Sequence, residues 1–202
     1  MVEWSDWQFW NRRRGADYSA ADSIGSRHVA FSCQVYTEED EIVKENKGWT
    51  MRRKDKEITD RQQVDSIIEK AIICRLGLAV GNKPYIVPLC FGYDGDSLYF
   101  HSALAGRKLD IIRENNNVCF EIESDINMVD ADKACNWSVR YKSVIGFGKA
   151  HIINDPESVR RALDVIMEHY SNRPFEYPDD KVAKTAVIRV DIEEMSGKMS
   201  GY

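Results

Sequence analysis

Three short runs rich in β-branched and aromatic residues, 75–80, 84–93 and 97–102, follow one another with only Gly81-Asn82-Lys83 and Asp94-Gly95-Asp96 between them. Connections this short join antiparallel neighbours and leave no room for the crossover helix that parallel strands need. The pattern resumes downstream. Residues 118–123 alternate with Val118, Phe120 and Ile122 on one face, and residues 138–153 form a long run that Gly146 and Gly148 allow to bend sharply. Ala186, Ile188, Val190 and Ile192 then alternate with mostly polar residues. Helical spacing is confined to three places. Thr59 and Asp60, with Gln62 and Gln63 after them, cap a helix that carries Val64, Ile67, Ile68, Ala71 and Ile72 and ends near Cys74. A short helix runs from Gly106 to about Glu114, and Asp155-Pro156-Glu157 opens a third whose apolar face is Val159, Ala162, Leu163, Ile166 and Tyr170. The expectation is a mainly β fold, about six antiparallel strands wrapped into a closed or partly closed small barrel with flanking helices. A Rossmann sheet is disfavoured, because Gly146-Phe147-Gly148 sits inside a strand and no G-x-G-x-x-G opens a helix.

Four of the five tryptophans, Trp4, Trp7, Trp10 and Trp49, lie in the first fifty residues together with Arg12-Arg13-Arg14, in a segment with little sustained periodicity. Residues 1–50 therefore read as an N-terminal arm of unknown role, separate from a domain spanning 51–202. The 202 residues carry 28 Lys+Arg against 33 Asp+Glu, a net charge of −5, so no general field gathers polyanions and nucleic acid is disfavoured as a partner. No stretch approaches the roughly 18 apolar residues of a membrane helix, and the first residues lack the basic-then-apolar order of a signal peptide, so a cytoplasmic protein is expected. Cys33, Cys74, Cys90, Cys119 and Cys135 contain no C-x-x-C, and the four histidines form no H-x-x-x-H pair, which argues for reduced thiols and against a metal site.

The stretch 84–113 carries the most chemistry. Pro88 interrupts a strong strand and cannot donate to the ladder, so it belongs at an edge or bulge, where neighbouring backbone groups stay free for a ligand. Cys90 and Gly92 share its face. Small side chains there let a flat ring approach, and they equally suit tight packing under a helix. After His101-Ser102-Ala103, Gly106-Arg107-Lys108 opens a helix with free N–H groups, a bidentate Arg and a Lys point charge, the outline of a phosphate site. The same residues also describe a solvated cap. Glu121 and Glu123 read as the wet side of a strand, and Trp137, beside Cys135, as either a ring cover or a side chain packed on its own barrel.

The segments P-Y-I-V-P-L (84–89), Y-F-H-S-A-L-A-G-R-K-L-D (99–110) and R-Y-K-S-V-I-G-F-G-K-A (140–150) lie between M-R-R-K-D-K-E-I (51–58) and M-S-G-K (195–198). Together they resemble the pyridoxamine 5'-phosphate oxidase-like flavin-binding split barrels, and among these the nitroimidazole-resistance proteins. The resemblance implies an antiparallel six-stranded split barrel that forms a homodimer with flavin mononucleotide (FMN) at the interface. It places Val87, Pro88, Leu89 and Cys90 along the ring edge, His101, Ser102 and Ala103 beside the ring and ribityl chain, and Arg107 and Lys108, behind Gly106, on the phosphate. From the other protomer, Tyr141, Ser143 and Val144 close the ring pocket, with Lys198 a further contact. The implied activity is a flavin-dependent oxidoreductase that draws on a nicotinamide donor and reduces a small organic acceptor such as a nitroaromatic, with His101 as the proton-supplying catalytic residue. The alternative is a flavin or haem carrier without turnover. Pyridoxamine phosphate oxidation itself is disfavoured, because the Arg- and His-bearing C-terminal substrate motif of those enzymes is missing.

Overall fold

A computed structural model describes residues 51–202, which fall in the unit Gly48–Tyr202. The arm assigned to residues 1–50, with its tryptophans and Arg12-Arg13-Arg14, lies outside the described residues. In chain order the elements are β1 (Glu57–Ile58), α1 (Arg61–Lys70), β2 (Cys74–Val80), β3 (Lys83–Leu89), β4 (Gly92–Tyr93), β5 (Ser97–Ala103), α2 (Arg107–Glu114), β6 (Asn117–Val129), β7 (Ser138–Ile153), α3 (Pro156–Tyr170), α4 (Asp179–Val182) and β8 (Thr185–Ser200). Every pairing among the described strands is antiparallel. The sheet runs β3-β2-β6-β7-β8-β5-β4, with β1 added beside the end of β8. Its two edge strands, β3 and β4, are joined by Cys90 and Phe91 alone. The sheet therefore curls until its edges nearly meet without pairing, which is the split of the expected barrel.

The six runs identified in the sequence are β2, β3, β5, β6, β7 and β8; two-residue strands β1 and β4 complete the sheet. The run 84–93 is not one strand. Phe91 turns inward and is fully buried, its N–H donates to the Tyr170 hydroxyl at 3.0 Å, and the chain leaves β2 to pair with β5. Helix α1 also stops earlier than expected, at Lys70. Ala71 is already extended, Ile72 is exposed, and Cys74 is fully buried as the first residue of β2, paired with both Leu89 and Ile122. Strands β6 and β8 run on to Val129 and Ser200, beyond their apolar alternation, because β7 lies alongside each of them.

The N-caps are those the residues suggest. The Asp60 carboxylate accepts from the Gln62 N–H, the Asp155 carboxylate accepts from Ser158 N–H, and Pro156 takes the first turn of α3. Gly146 and Gly148 sit where β7 crosses its neighbours most closely. A Cβ at Gly146 would meet the Phe120 ring at 2.2 Å, one at Gly148 the Asp191 carbonyl oxygen at 2.2 Å, and the β7–β8 register shifts between Phe147 and Gly148. Gly92 packs beneath α3, since a Cβ there would lie 2.6 Å from the Val165 carbonyl. Its smallness therefore serves helix packing. The main core gathers Phe91, Leu98, Phe100, Phe120, Ile122 and Val144 with α1 and α2, and a smaller cluster of Val159, Ala162, Val182 and Val187 lies under α3 and α4.

Candidate functional site

The candidate residues fall into two groups on different parts of the sheet. In the first, β3 is an edge strand, and its prolines are tolerated there because a missing N–H forfeits no ladder bond on the open side. Val87 and Leu89 turn their side chains toward the core, while Pro88 and Cys90 face outward. Strand β5 ends in the same alternation. His101 and Ala103 are exposed, and Ser102 is buried with its Oγ lacking a hydrogen-bond partner. His101 pairs in register with Val187, Ser102 with Ala186 and Ala103 with Thr185.

The chain then enters α2 through Gly106, whose φ of 144° only glycine adopts easily. No side chain caps this helix; the Leu109 N–H is given to the Gly106 carbonyl at 2.9 Å, and the Arg107 and Lys108 N–H groups keep their capacity for an outside acceptor. Burial of Leu109, Ile111 and Ile112 fixes the helix against the barrel and leaves Arg107 and Lys108 at its open end. Among the described residues neither cation has a carboxylate partner. The Arg107 guanidinium rests instead over the Tyr85 ring at 5.1 Å, which draws the start of α2 toward β3. The uncapped N-terminus, the two unpaired cations and the free strand edge thus share one region, and that donor set fits a phosphorylated planar cofactor.

The second group lies on β7 and the far half of β8. Ser143 is cross-strand from Lys198 on one side and from Glu123 on the other. The Lys198 ammonium stands 5.8 Å from the centre of the Tyr141 ring. Val144 is fully buried in the core, so it can reach a ligand only through its backbone. On the opposite face from Val144, Arg75 bridges two carboxylates, Glu121 at 3.0 Å and Glu123 at 2.9 Å. Burial, with the neighbouring Glu123 charge second, pushes the Glu121 carboxyl above its usual range against the pull of Arg75. These two glutamates are therefore held by a fork that sequence reasoning missed. Arg75 could be matched to them only through the β2–β6 register.

Along β8, Val187 beside His101 and Lys198 beside Ser143 are eleven residues apart, about 36 Å of strand contour. Cavities of 370, 560, 210 and 430 Å³ open elsewhere, and none is lined by His101, Arg107, Lys108, Tyr141, Ser143 or Lys198. Trp137 is exposed in the β6–β7 loop and packs on no core cluster. Among the described residues no three His, Cys, Asp or Glu side chains converge as metal ligands, and no helix is long and apolar enough to cross a membrane.

Residues 60–199 match the family model described as pyridoxamine 5'-phosphate oxidase. A solved structure of a candidate 5-nitroimidazole antibiotic resistance protein from Bacteroides thetaiotaomicron is 38% identical, covers 71% of this chain and 86% of its own, and superposes with a TM-score of 0.64. The FAD and heme binding protein from Mycobacterium smegmatis shares the fold at 21% identity, with a TM-score of 0.65 over 73% of this chain and 75% of that one. An uncharacterized protein of Rhizobium meliloti is 29% identical over 65 residues, which span 32% of this chain and 42% of that relative, less than half its length.

Proposed function

Because the chain belongs to the pyridoxamine 5'-phosphate oxidase family, we propose that it is a cytoplasmic flavin-dependent oxidoreductase. It holds FMN between two copies of itself, accepts electrons from a nicotinamide donor and delivers them to a small organic acceptor, nitroaromatics included. The observation that carries this reading is the uncapped start of α2, where Arg107 and Lys108 stand without carboxylate partners beside an edge strand. An acidic protein holds a dianionic phosphate only through such local donors. The likeness to the candidate nitroimidazole-resistance protein supports the choice of acceptor.

The bound flavin would supply the two-electron chemistry. The chain's share is binding, orientation and proton supply. Arg107, Lys108 and the α2 N–H groups take the phosphate, and the open edge of β3 offers the backbone groups around Pro88 and Cys90 that β2 leaves free. His101, exposed at the end of β5, carries an imidazole able to hold or release a proton. The second copy contributes Tyr141, Ser143, the Val144 backbone and Lys198. The 36 Å of contour between the two groups supports that division, since one copy would have to fold β8 back on itself to bring both to one ring.

Purified protein should be yellow, dimeric by light scattering and able to retain FMN through gel filtration. Under anaerobic conditions a nicotinamide donor should bleach it, and a nitroaromatic should restore the colour. Retention of flavin without bleaching by any nicotinamide donor would leave the carrier as the correct reading. A colourless monomer that takes up no FMN would refute both. Residues 1–50 stand outside this function in our reading, so protein trimmed to begin at Met51 should keep the flavin.

A further inference from the structure

The outer part of the β6–β7 hairpin is a ribbon of two strands alone. Asn127 pairs with Arg140, Met128 with Val139 and Val129 with Ser138. Strand β2 accompanies β6 only as far as Ile122, and β8 accompanies β7 only as far as Tyr141. Such a ribbon is marginal in water unless something covers it, and this one presents apolar side chains outward. Ile126 is 56% exposed, Met128 66%, Trp137 53% and Val139 36%. The Trp137 indole is also fixed, because its Nε1–H donates to the Ala131 carbonyl at 2.6 Å across the loop.

Strand alternation sets Trp137, Val139, Tyr141 and Ser143 on one face of the same segment, and Met128 joins them as the cross-strand neighbour of Val139. An apolar stripe thus starts at the ribbon tip and leads directly into Tyr141 and Ser143, two of the residues assigned to the second copy's share of the flavin site. The tip itself carries Asp130 and Asp132 with Lys133, so it offers an anionic molecule little attraction.

We propose that this face of the ribbon, with Trp137 as its rigid aromatic surface, is the wall against which the electron acceptor lies in the second copy's site, and that it selects flat, uncharged aromatic molecules. This placement rests on the functional reading above. A planar acceptor removes the indole, the Met128 thioether and the Val139 side chain from water together, and offset stacking on the indole orients it. An aliphatic acid of similar size gains no such stacking on the indole.

The test uses the full-length, FMN-loaded protein without any electron donor, so that binding is read apart from turnover. Nitrobenzene is titrated in, and the perturbation of the flavin absorption gives its Kd; hexanoate serves as the non-planar control. Trp137→Ala should weaken nitrobenzene binding about tenfold, Trp137→Phe should restore most of that loss, and hexanoate should not respond to either change. FMN affinity and dimer size should stay unaltered in both variants. Nitrobenzene affinity within twofold of wild type in Trp137→Ala would overturn the proposal. A parallel loss of FMN affinity would overturn it too, as would dissociation of the dimer, which would make the ribbon a docking arm for the second copy. Wild-type protein that takes up no FMN would remove the functional reading and this wall with it. Failure of Trp137→Ala alone would remove only the wall.

Discussion

At the residue scale, two charged positions contrast, one at the candidate site and one in the turn that opens β5. Arg107 leans on the Tyr85 ring with no carboxylate to neutralise it, so its guanidinium is available at little cost. Replacing Arg107 or Lys108 by Ala should weaken FMN binding by about 1.5–3 kcal/mol each, measured by quenching of flavin fluorescence. Asp94 is the opposite case, because both of its carboxylate oxygens are engaged locally. It accepts from the N–H groups of Asp96 and Ser97 at 3.0 and 2.8 Å and from the Tyr99 hydroxyl at 2.8 Å. Burial acts to raise its carboxyl, but these donors outweigh burial and hold it below the usual range. A depressed carboxylate stabilises the fold above its unfolded-state pKa and loses that contribution as pH falls through the folded value. Asp94→Ala should therefore cost about 1–2 kcal/mol in urea unfolding at pH 7, and the gap to wild type should narrow toward pH 3. The turn at Asp94-Gly95-Asp96 was legible because its chemistry is local. The Arg75 fork across Glu121 and Glu123 was not, since nothing within one strand reveals which residue faces it from the next.

At the scale of elements, the strands showed themselves wherever one face was apolar and went unseen where long-range pairing alone sustained them. The apolar alternation of the last strand stops at Ile192, and residues 193–198 continue β8 without it. They are extended because β7 runs beside them and β1 joins at Gly197 and Lys198, where a Cβ on Gly197 would lie 2.9 Å from the Ile58 Cβ. The break after Leu89 was invisible for a related reason: Tyr170, on a helix 79 residues away, receives the Phe91 N–H and in turn donates to the Ile72 carbonyl at 2.8 Å. The two glycines of β7 were singled out as a bend, and what the structure shows there is crowding at both and a register shift between Phe147 and Gly148. Gly148→Ala would drive a methyl group into the Asp191 carbonyl, which is backbone and cannot swing aside. A loss of about 1–3 kcal/mol is expected in chemical denaturation, with the β7–β8 register the place where the strain appears.

At the scale of the whole molecule, the wrapped antiparallel sheet followed from turn lengths and alternation alone, and the likeness in 84–110 and 140–150 pointed to the surface that carries the candidate site. What no pattern in the chain displays is the spatial relation between its two groups of candidate residues, because that relation depends on how β8 is shared. The near half of β8 supports His101 through Val187, and its far half supports Ser143 through Lys198. In the proposed dimer, a cofactor served by both halves would draw on different polypeptides for its two ends. Subunits crippled in opposite places should then rescue one another. A chain carrying Arg107→Ala with Lys108→Ala, mixed with one carrying Tyr141→Ala with Ser143→Ala, should assemble hybrids in which one pocket inherits both defects and the other neither. Two preparations that are colourless apart would turn yellow together, at one flavin per hybrid pair.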